Sequence, residues 1–231
     1  MLGQLVAKNA RIMVCNHLAE YGRDQIAVIG NGVRSPHWYV VRNTVMILGR
    51  IGGEQTVNYL EMAAGHTDSR VRLEAVEALS VVKTDQAVEI LCCFLRDSDG
   101  GVRLASLNHL EKIGGRIPFE SLLRIVTSDD FTDLSSDEQE WFLIAFSRLG
   151  GSEVVDILGH IIGRFYIFGG ARMVRSRMAA LTALAHNRSD DAERVILKFT
   201  CSRRRWLREA ASAALEQRRQ LIYGGGGNDS Q

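Results

Sequence analysis

The chain repeats one pattern of apolar positions, and its clearest copy begins at Val71. From there apolar residues recur at i, i+4, i+7, i+8 and i+11, which is the spacing of one face of an α-helix. After Lys83, the pair Thr84-Asp85 offers a cap for a second helix. The inward residues of that second helix are Ala87, Val88, Leu91, Phe94 and Leu95. The pattern therefore predicts a helical hairpin over this part of the chain.

Equivalents of Leu79 recur along the whole sequence. They are Leu18, Leu48, Leu79, Leu110, Phe146, Leu184 and Leu215, at intervals of 30, 31, 31, 36, 38 and 31 residues. Glycine follows most of these anchors, at 22, 52, 114 and 150, where a first helix would end in a left-handed backbone. Lys83-Thr84 takes that place in the clearest copy. Since one hairpin cannot bury its apolar face alone, the recurrence predicts a stack of hairpins.

These segments resemble the short HEAT-like repeats, also called bilin-lyase-type HEAT repeats. The resemblance rests on Trp38-Tyr39-Val40-Val41-Arg42-Asn43, on Leu48-Gly49-Arg50-Ile51-Gly52, and on the stretch from Arg70 to Leu79. It covers residues 10 to 215, nearly the whole chain. The resemblance implies an all-α fold, a right-handed α-solenoid of about seven short hairpins, and assigns almost nothing about function.

We expect a single HEAT-like repeat domain over residues 1–223, because solenoids grow by adding units. The predicted units are 10–36, 37–68, 69–99, 100–128, 137–165 and 175–203, with a polar cap over 204–223. The glycine-rich residues 224–231 are predicted to be a flexible tail. The first nine residues already read as helix, with no polar capping repeat. They predict either a capping helix or the start of a C-terminal domain of a longer protein.

Bulk composition is that of a globular protein: 231 residues, 46% of them hydrophobic, with a formal net charge of +1. The sequence has neither a run of about 20 apolar residues nor the residue order of a signal peptide. We therefore expect a cytoplasmic protein with no membrane partner. Cys15, Cys92, Cys93 and Cys201 form no CxxC pair, so they are interpreted as buried thiols.

Catalytic motifs are missing from the sequence. The di-iron hydroxylases built on HEAT hairpins use His-Glu pairs, and none of the six histidines here is followed by Glu. No HxxxH spacing, phosphate-binding loop or nucleophile elbow is present. We therefore predict no enzyme activity, no cofactor and no metal. A HEAT-like DNA glycosylase, with Trp141, Trp206 and Asp156 as candidate residues, and a bilin-lyase-like subunit stay as alternatives.

The 38-residue interval contains an unusual segment over residues 164–177. It combines aromatics, a double glycine and arginines in a predicted inter-helix connection, and either packs back onto the repeats or forms an exposed docking patch. The candidate partner-binding residues are Arg164, Phe165, Tyr166, Phe168, Arg172, Arg175 and Arg177. A second irregular segment, 129–140, holds six acidic residues. It is interpreted as a solvated loop with a Ser135–Glu138 capping box, or as an acidic face for a basic partner or a weakly bound cation.

Charge is divided unevenly along the chain. Residues 1–170 hold 16 basic and 21 acidic residues, a net charge of −5, whereas residues 171–231 hold 12 and 6, a net charge of +6. The candidate basic patch consists of Arg203, Arg204, Arg205, Trp206 and Arg208. It could contact nucleic acid, contact an acidic partner, or be a solvated cap. Taken together, the sequence favours a non-catalytic scaffold that binds a protein, with Glu61, Glu89 and Arg124 on the inner face of the second helices.

Overall fold

A computed structural model describes residues 2–163 and 171–223, with side chains for 9–163 and 174–222. Across these ranges the chain forms helices and no β-strand, which confirms the predicted all-α class. The α-helices are α1 Leu2–Tyr21, α2 Ile26–Gly30, α3 Trp38–Ile51, α4 Val57–Ala64, α5 Ser69–Val82, α6 Asp85–Phe94, α7 Gly100–Ile113, α8 Arg116–Val126, α9 Ser136–Leu149, α10 Glu153–Gly163, α11 Ala171–His186, α12 Asp190–Thr200 and α13 Arg205–Tyr223. Short 3-10 helices lie at Arg23–Gln25, Asn31–Arg34, Glu54–Thr56 and Asp129–Asp133.

The first compact unit comprises residues 1–113. In it α3 packs between α1 and α5, and α5 packs against α7. The second helices follow the same order, since α4 contacts α5 and α6, and α6 contacts α7. A buried bond from the Ser106 hydroxyl to the Leu91 carbonyl, 2.6 Å long, ties α7 to α6. The unit is therefore a stack of helical hairpins, as the repeat predicts.

The second compact unit comprises residues 114–231. Its first helices α9 and α11 pack closely, and α11 also contacts α13. The second helices α10 and α12 contact each other, and α8 packs against α9. Phe119 of α8 and Phe146 of α9 stack with ring centroids 5.5 Å apart. The predicted cap, 204–223, corresponds to helix α13. That one domain spans residues 1–223 stays a prediction.

The anchor positions form the core, with one exception. Leu48, Leu79, Leu110 and Phe146 are fully buried, and each is the eleventh residue of a 14-residue helix. Leu184 and Leu215 are buried as well. The prediction for Leu18 is wrong: its side chain is 46% exposed. In α1 the neighbouring face, with Cys15 and Ala19, packs instead against Met46 and Ile47 of α3.

The turns after the first helices are of two kinds. Gly52 and Gly114 adopt positive φ values of 67° and 68°, and Lys83 replaces them in the clearest copy with a φ of 56°, as the sequence predicts. Gly22 and Gly150 have φ values of −93° and −95°, so the predicted left-handed backbone is wrong there. At Gly150 the reason for glycine is space. A Cβ atom would overlap Val154 Cγ1 and lie 2.7 Å from Phe119 Cε2.

The predicted helix starts are confirmed where caps were recognised. The Thr84 hydroxyl accepts a hydrogen bond from the Ala87 amide. Ser135 and Glu138 form the reciprocal capping box at the start of α9. None of the helices within the described ranges is long and apolar enough to cross a membrane.

Candidate partner-binding surfaces

The first predicted docking segment, 164–177, is only partly described. Residues 164–170, with Arg164, Phe165, Tyr166 and Phe168, lie outside the described residues, as does the side chain of Arg172. Helix α11 begins at Ala171, so Arg175 and Arg177 are helical, and their predicted place in a connection is wrong. Arg175 is exposed on α11, whereas Arg177 is only 5% exposed and cannot contribute to a surface patch.

The basic patch lies at the turn before α13. Arg203, Arg204 and Arg205 are exposed, and Trp206 is half-buried. Arg205 pairs with Glu209 one helical turn later, at 2.7 Å. Arg208 turns back, and its Nη1 donates to the carbonyls of Ser202 and Arg203 at 2.9 and 3.3 Å. Three arginines therefore present charge to solvent, and Arg208 fixes the turn.

The role of Arg208 recurs in other repeats. Arg72, Arg103 and Arg208 are each the fourth residue of a first helix, and each donates Nη1 to the carbonyls six and five residues earlier. We call this contact the arginine clamp. At Arg72 it is joined by a two-bond ion pair with Asp97, with both distances 2.7 Å. Sequence reasoning missed the clamp, although the spacing from arginine to the buried anchor, seven residues, is the same in all three copies.

The second helices carry the predicted inner-face residues at their surface. Glu61, Glu89 and Arg124 are all exposed. In the second unit a groove of about 580 Å³ runs between α10 and α12. Its lining residues are Ser152, Glu153, Val155, Asp156, Asp191, Arg194, Val195 and Lys198. Arg194 pairs with Asp191 on its own helix. We call this feature the α10–α12 groove.

The glycosylase candidates occupy three different helices. Trp141 is 41% exposed on α9, Asp156 is exposed on α10, and Trp206 lies on α13. Among the described residues no group of three or more His, Cys, Asp or Glu is placed to hold a metal ion. Nothing in the described geometry joins the two tryptophans and the carboxylate into one pocket.

The first unit carries a group of arginines that sequence reasoning missed. Arg70 lies over the Trp38 ring, with its guanidinium carbon 3.5 Å from the ring centroid, and Arg42 lies 5.1 Å from the same ring. Arg70 also binds Asp68 through two bonds of 3.0 and 2.6 Å. This bonding lowers the pKa of the Asp68 carboxyl to about 2. Trp38 and Arg42 are thus an i, i+4 pair on α3, and Arg70 of α5 lies over the same ring.

The electrostatics of Glu74 show which charges lie around it. Burial raises its pKa above the usual value, and the neighbouring guanidiniums of Arg42, Arg50 and Arg11 oppose that shift. Burial lowers the pKa of Arg42, and the positive charges of Arg11 and Arg70 lower it further. We call Arg11, Arg42, Arg50, Arg70, Trp38 and Glu74 the guanidinium cluster.

Comparison with known proteins finds a family match over the first part of the chain and distant likenesses to solved structures. Residues 6–80 match the family model for HEAT repeats, which confirms the predicted resemblance over that part of the chain. No curated protein matches the sequence. The chain is similar to a solved designed armadillo repeat protein, at 17% identity and a TM-score of 0.42 over 84% of this chain and 99% of that chain. It is also similar to human deoxyhypusine hydroxylase in complex with glycerol, at 14% identity and a TM-score of 0.38 over 95% and 99%.

The class of protein follows from the helices and the family match together. Over the described ranges the chain is an all-helical repeat protein, and its residues 6–80 match the family model for HEAT repeats. Folds of this class serve mainly as binding scaffolds, although some carry enzymes, so the class alone assigns no partner.

Proposed function

We propose that this chain is a non-catalytic protein-interaction module that binds a partner through the exposed face of its second helices. The observation that carries the proposal is the α10–α12 groove, a concave surface of about 580 Å³ on two packed helices. Repeat proteins use surfaces of this kind for extended partners, because consecutive helices present side chains in register.

The charges along the groove suit a segment of mixed charge. Glu153 and Asp156 of α10 line the groove together with Asp191, Arg194 and Lys198 of α12. Exposed charges of both signs at the rim of an interface guide association and select the partner's register, even where each pair adds little affinity. We infer that the partner contributes an extended peptide segment with basic and acidic side chains.

The segment 164–170 with Arg172 and Arg175 supplies a second proposed contact. Its aromatics and arginines are the residue types that are enriched at interfaces. Arg177 is left out of this contact because it is buried. The acidic segment 129–140 stays a candidate face for a basic partner.

Charge reversal in the groove tests the proposal. Asp156→Lys should lower recovery of the partner about fivefold or more in quantitative affinity capture, because it removes one acid from the groove and adds a base to Arg194 and Lys198. Glu216→Lys is the matched control: Glu216 is also an exposed acid on a helix of the second unit, and its reversal should leave recovery unchanged. Far-UV circular dichroism establishes that both variants are folded. Equal recovery with both variants would remove the groove as the contact surface.

Deletion of residues 164–170, which precede helix α11, tests the second contact. We expect partner recovery to fall in the deletion variant relative to the intact chain. Unchanged recovery, with the helical content preserved, would count against a docking role for this segment. The DNA-glycosylase and bilin-lyase alternatives gain no support from the described residues and stay predictions.

A further inference from the structure

Helix α1 has an apolar face that no described residue covers. Its face with Cys15 and Ala19 packs against α3, whereas Met13 and Tyr21 on the other side are 70% and 71% exposed. The residues on that side recur at i, i+3, i+4, i+7, i+8 and i+11, so they share one face of the helix. We call this surface the α1 stripe; its members are Ala10, Met13, Val14, His17, Leu18 and Tyr21.

The following repeats bury the positions that correspond to the stripe. In α7 the counterpart of Val14 is Ser106, which is buried and bonds to a carbonyl of α6, the preceding second helix. In α5 the counterpart of His17 is Ala78, which is buried where α5 lies against α3, the preceding first helix. The α1 stripe therefore occupies the face on which each of these repeats receives a neighbouring hairpin.

The uncovered face extends onto α2. Ala27 is exposed there, whereas its counterparts in α4 and α6, Val57 and Val88, are buried. Two helices about 10 Å apart, over a length of about 20 Å, present a flat face on the order of 400 Å². If two copies of the chain each buried a face of this size, the interface would lie at the lower end of those that hold a specific complex.

The side chains of the stripe differ from those of the stacked repeats. Met13 stands where α3 has Asn43 and α5 has Glu74, and Tyr21 stands where α5 has Val82. Large side chains hold a second helix further away than the glycine–alanine contact between α3 and α5 does. Methionine and aromatic residues are enriched at interfaces between proteins, whereas charged residues are depleted at their centre. The stripe holds no Asp, Glu, Lys or Arg, so it suits a contact between molecules better than one more stacked repeat.

An uncharged surface of this kind can pack against a copy of itself. In a twofold dimer each surface meets the same surface of the other molecule, so a charged residue at the centre would lie near its own like charge. The α1 stripe has no such residue. In addition, the rings of His17 and Tyr21 already contact each other, with centroids 4.5 Å apart. Side chains that are ordered before association lose less conformational entropy when the interface forms.

We propose that the α1 stripe is the contact surface of a twofold homodimer, in which the first hairpins of two copies of this chain pack against each other. Met13, Val14, Leu18 and Tyr21 form its apolar centre. Because the contact area is small, we expect a dissociation constant of about 1–100 μM. The dimer uses the first unit only and does not depend on the α10–α12 groove of the second.

Sedimentation velocity of the full chain between about 1 and 200 μM tests the proposal, and we expect a change from monomer to dimer over that range. Met13→Glu should weaken the dimer about tenfold or more, because it replaces an apolar contact by two like charges near the twofold axis. Val81→Glu is the matched control, since Val81 is a 62% exposed apolar residue on a first helix of the same unit. It should change the dissociation constant by less than about twofold.

A charge exchange tests the twofold arrangement itself. Met13→Lys alone should weaken the dimer as Met13→Glu does. An equimolar mixture of the two variants should associate about fivefold or more tightly than either variant alone, because opposite charges then meet across the interface. Far-UV circular dichroism at low concentration should show equal helical content in all variants, since the substituted side chains are exposed in the single chain.

Three outcomes would overturn the dimer. A monomer over the whole concentration range would leave a helix of a different protein as the occupant of the stripe. Equal dimerisation of Met13→Glu and Val81→Glu would place the contact elsewhere on the chain. A mixture of the two Met13 variants that associates no more tightly than each alone would show that the stripe packs against a different surface of its neighbour. All three bear on the α1 stripe alone, whereas partner capture with Asp156→Lys bears only on the proposed function.

Discussion

At the scale of single residues, side chains that follow the repeat were predictable and those that depend on one neighbour were not. Leu48, Leu79 and Leu110 are buried because helical spacing puts them on the same face in every copy. Leu18 fails because α1 also carries apolar residues on the face next to it. Only contact with α3 selects the face with Cys15 and Ala19. At Gly150 the repeat suggested a backbone reason, whereas the structure gives a packing reason.

Alanine substitutions at Gly150 and Gly151 test whether position 150 requires glycine because of packing. Gly150→Ala should lower the free energy of unfolding by about 1–3 kcal/mol, because its Cβ would overlap Val154 and press on Phe119. At Gly151 no atom lies within 4 Å of an added Cβ, so Gly151→Ala should stay within about 0.5 kcal/mol of the parent. Urea denaturation of both variants checks this. Adding Phe119→Leu to each variant tests the packing explanation. It should reduce the stability loss caused by Gly150→Ala and leave Gly151→Ala unchanged. If Gly150 were needed for a left-handed backbone, Phe119→Leu would reduce neither loss.

At the scale of helices, the sequence specified starts, ends and order, but not the contacts that hold the turns. The Thr84 and Ser135 caps were readable because their partners lie three residues away. The arginine clamp was not recognised, since arginine on a helix is usually a solvated residue. In α9 Gln139 occupies the same fourth position, and its Nε2 donates to the carbonyls of Thr132 and Leu134. One position of the repeat is therefore dedicated to fixing the turn before each of these helices.

The clamp at Arg208 makes a prediction that separates a structural arginine from a surface one. Arg208→Ala should destabilise the chain by about 1 kcal/mol, since two backbone carbonyls lose their donor. Arg205→Ala removes only an exposed pair with Glu209 and should cost about 0.3 kcal/mol. Chemical denaturation measures both, and faster hydrogen exchange at the start of α13 should accompany Arg208→Ala alone. Equal costs for the two variants would show that Arg208 has no clamping role.

At the scale of the whole chain, the all-helical repeat architecture followed from periodicity alone, whereas the candidate sites did not. Repeats can be recognised in a sequence because each copy has the same spacing of apolar residues. The guanidinium cluster combines residues from three helices about 30 positions apart in sequence, and no local pattern reports that they meet. The α10–α12 groove is likewise a product of packing.

The basic residues at the turn before α13 are the part of the chain at which the protein-partner proposal and the nucleic-acid alternative predict different binding. Arg208 is engaged in the clamp and Arg205 pairs with Glu209, and the other exposed bases at this turn are Arg203 and Arg204. So few phosphate contacts would support only weak binding that disappears near physiological salt. We therefore expect a generic 20-base-pair duplex to show no saturable binding at about 0.15 M salt.

Fluorescence anisotropy with the duplex over a range of salt concentrations decides between the protein-partner proposal and the nucleic-acid alternative. If binding is tight and a plot of log binding constant against log salt concentration has a slope steeper than about −4, at least four phosphate contacts are required. If Arg203→Gln reduced that slope by about one while Arg124→Gln left it unchanged, the basic patch would be a nucleic-acid interface. The net charge of +6 over residues 171–231 would then have a specific use, and the protein-partner proposal would lose this end of the chain.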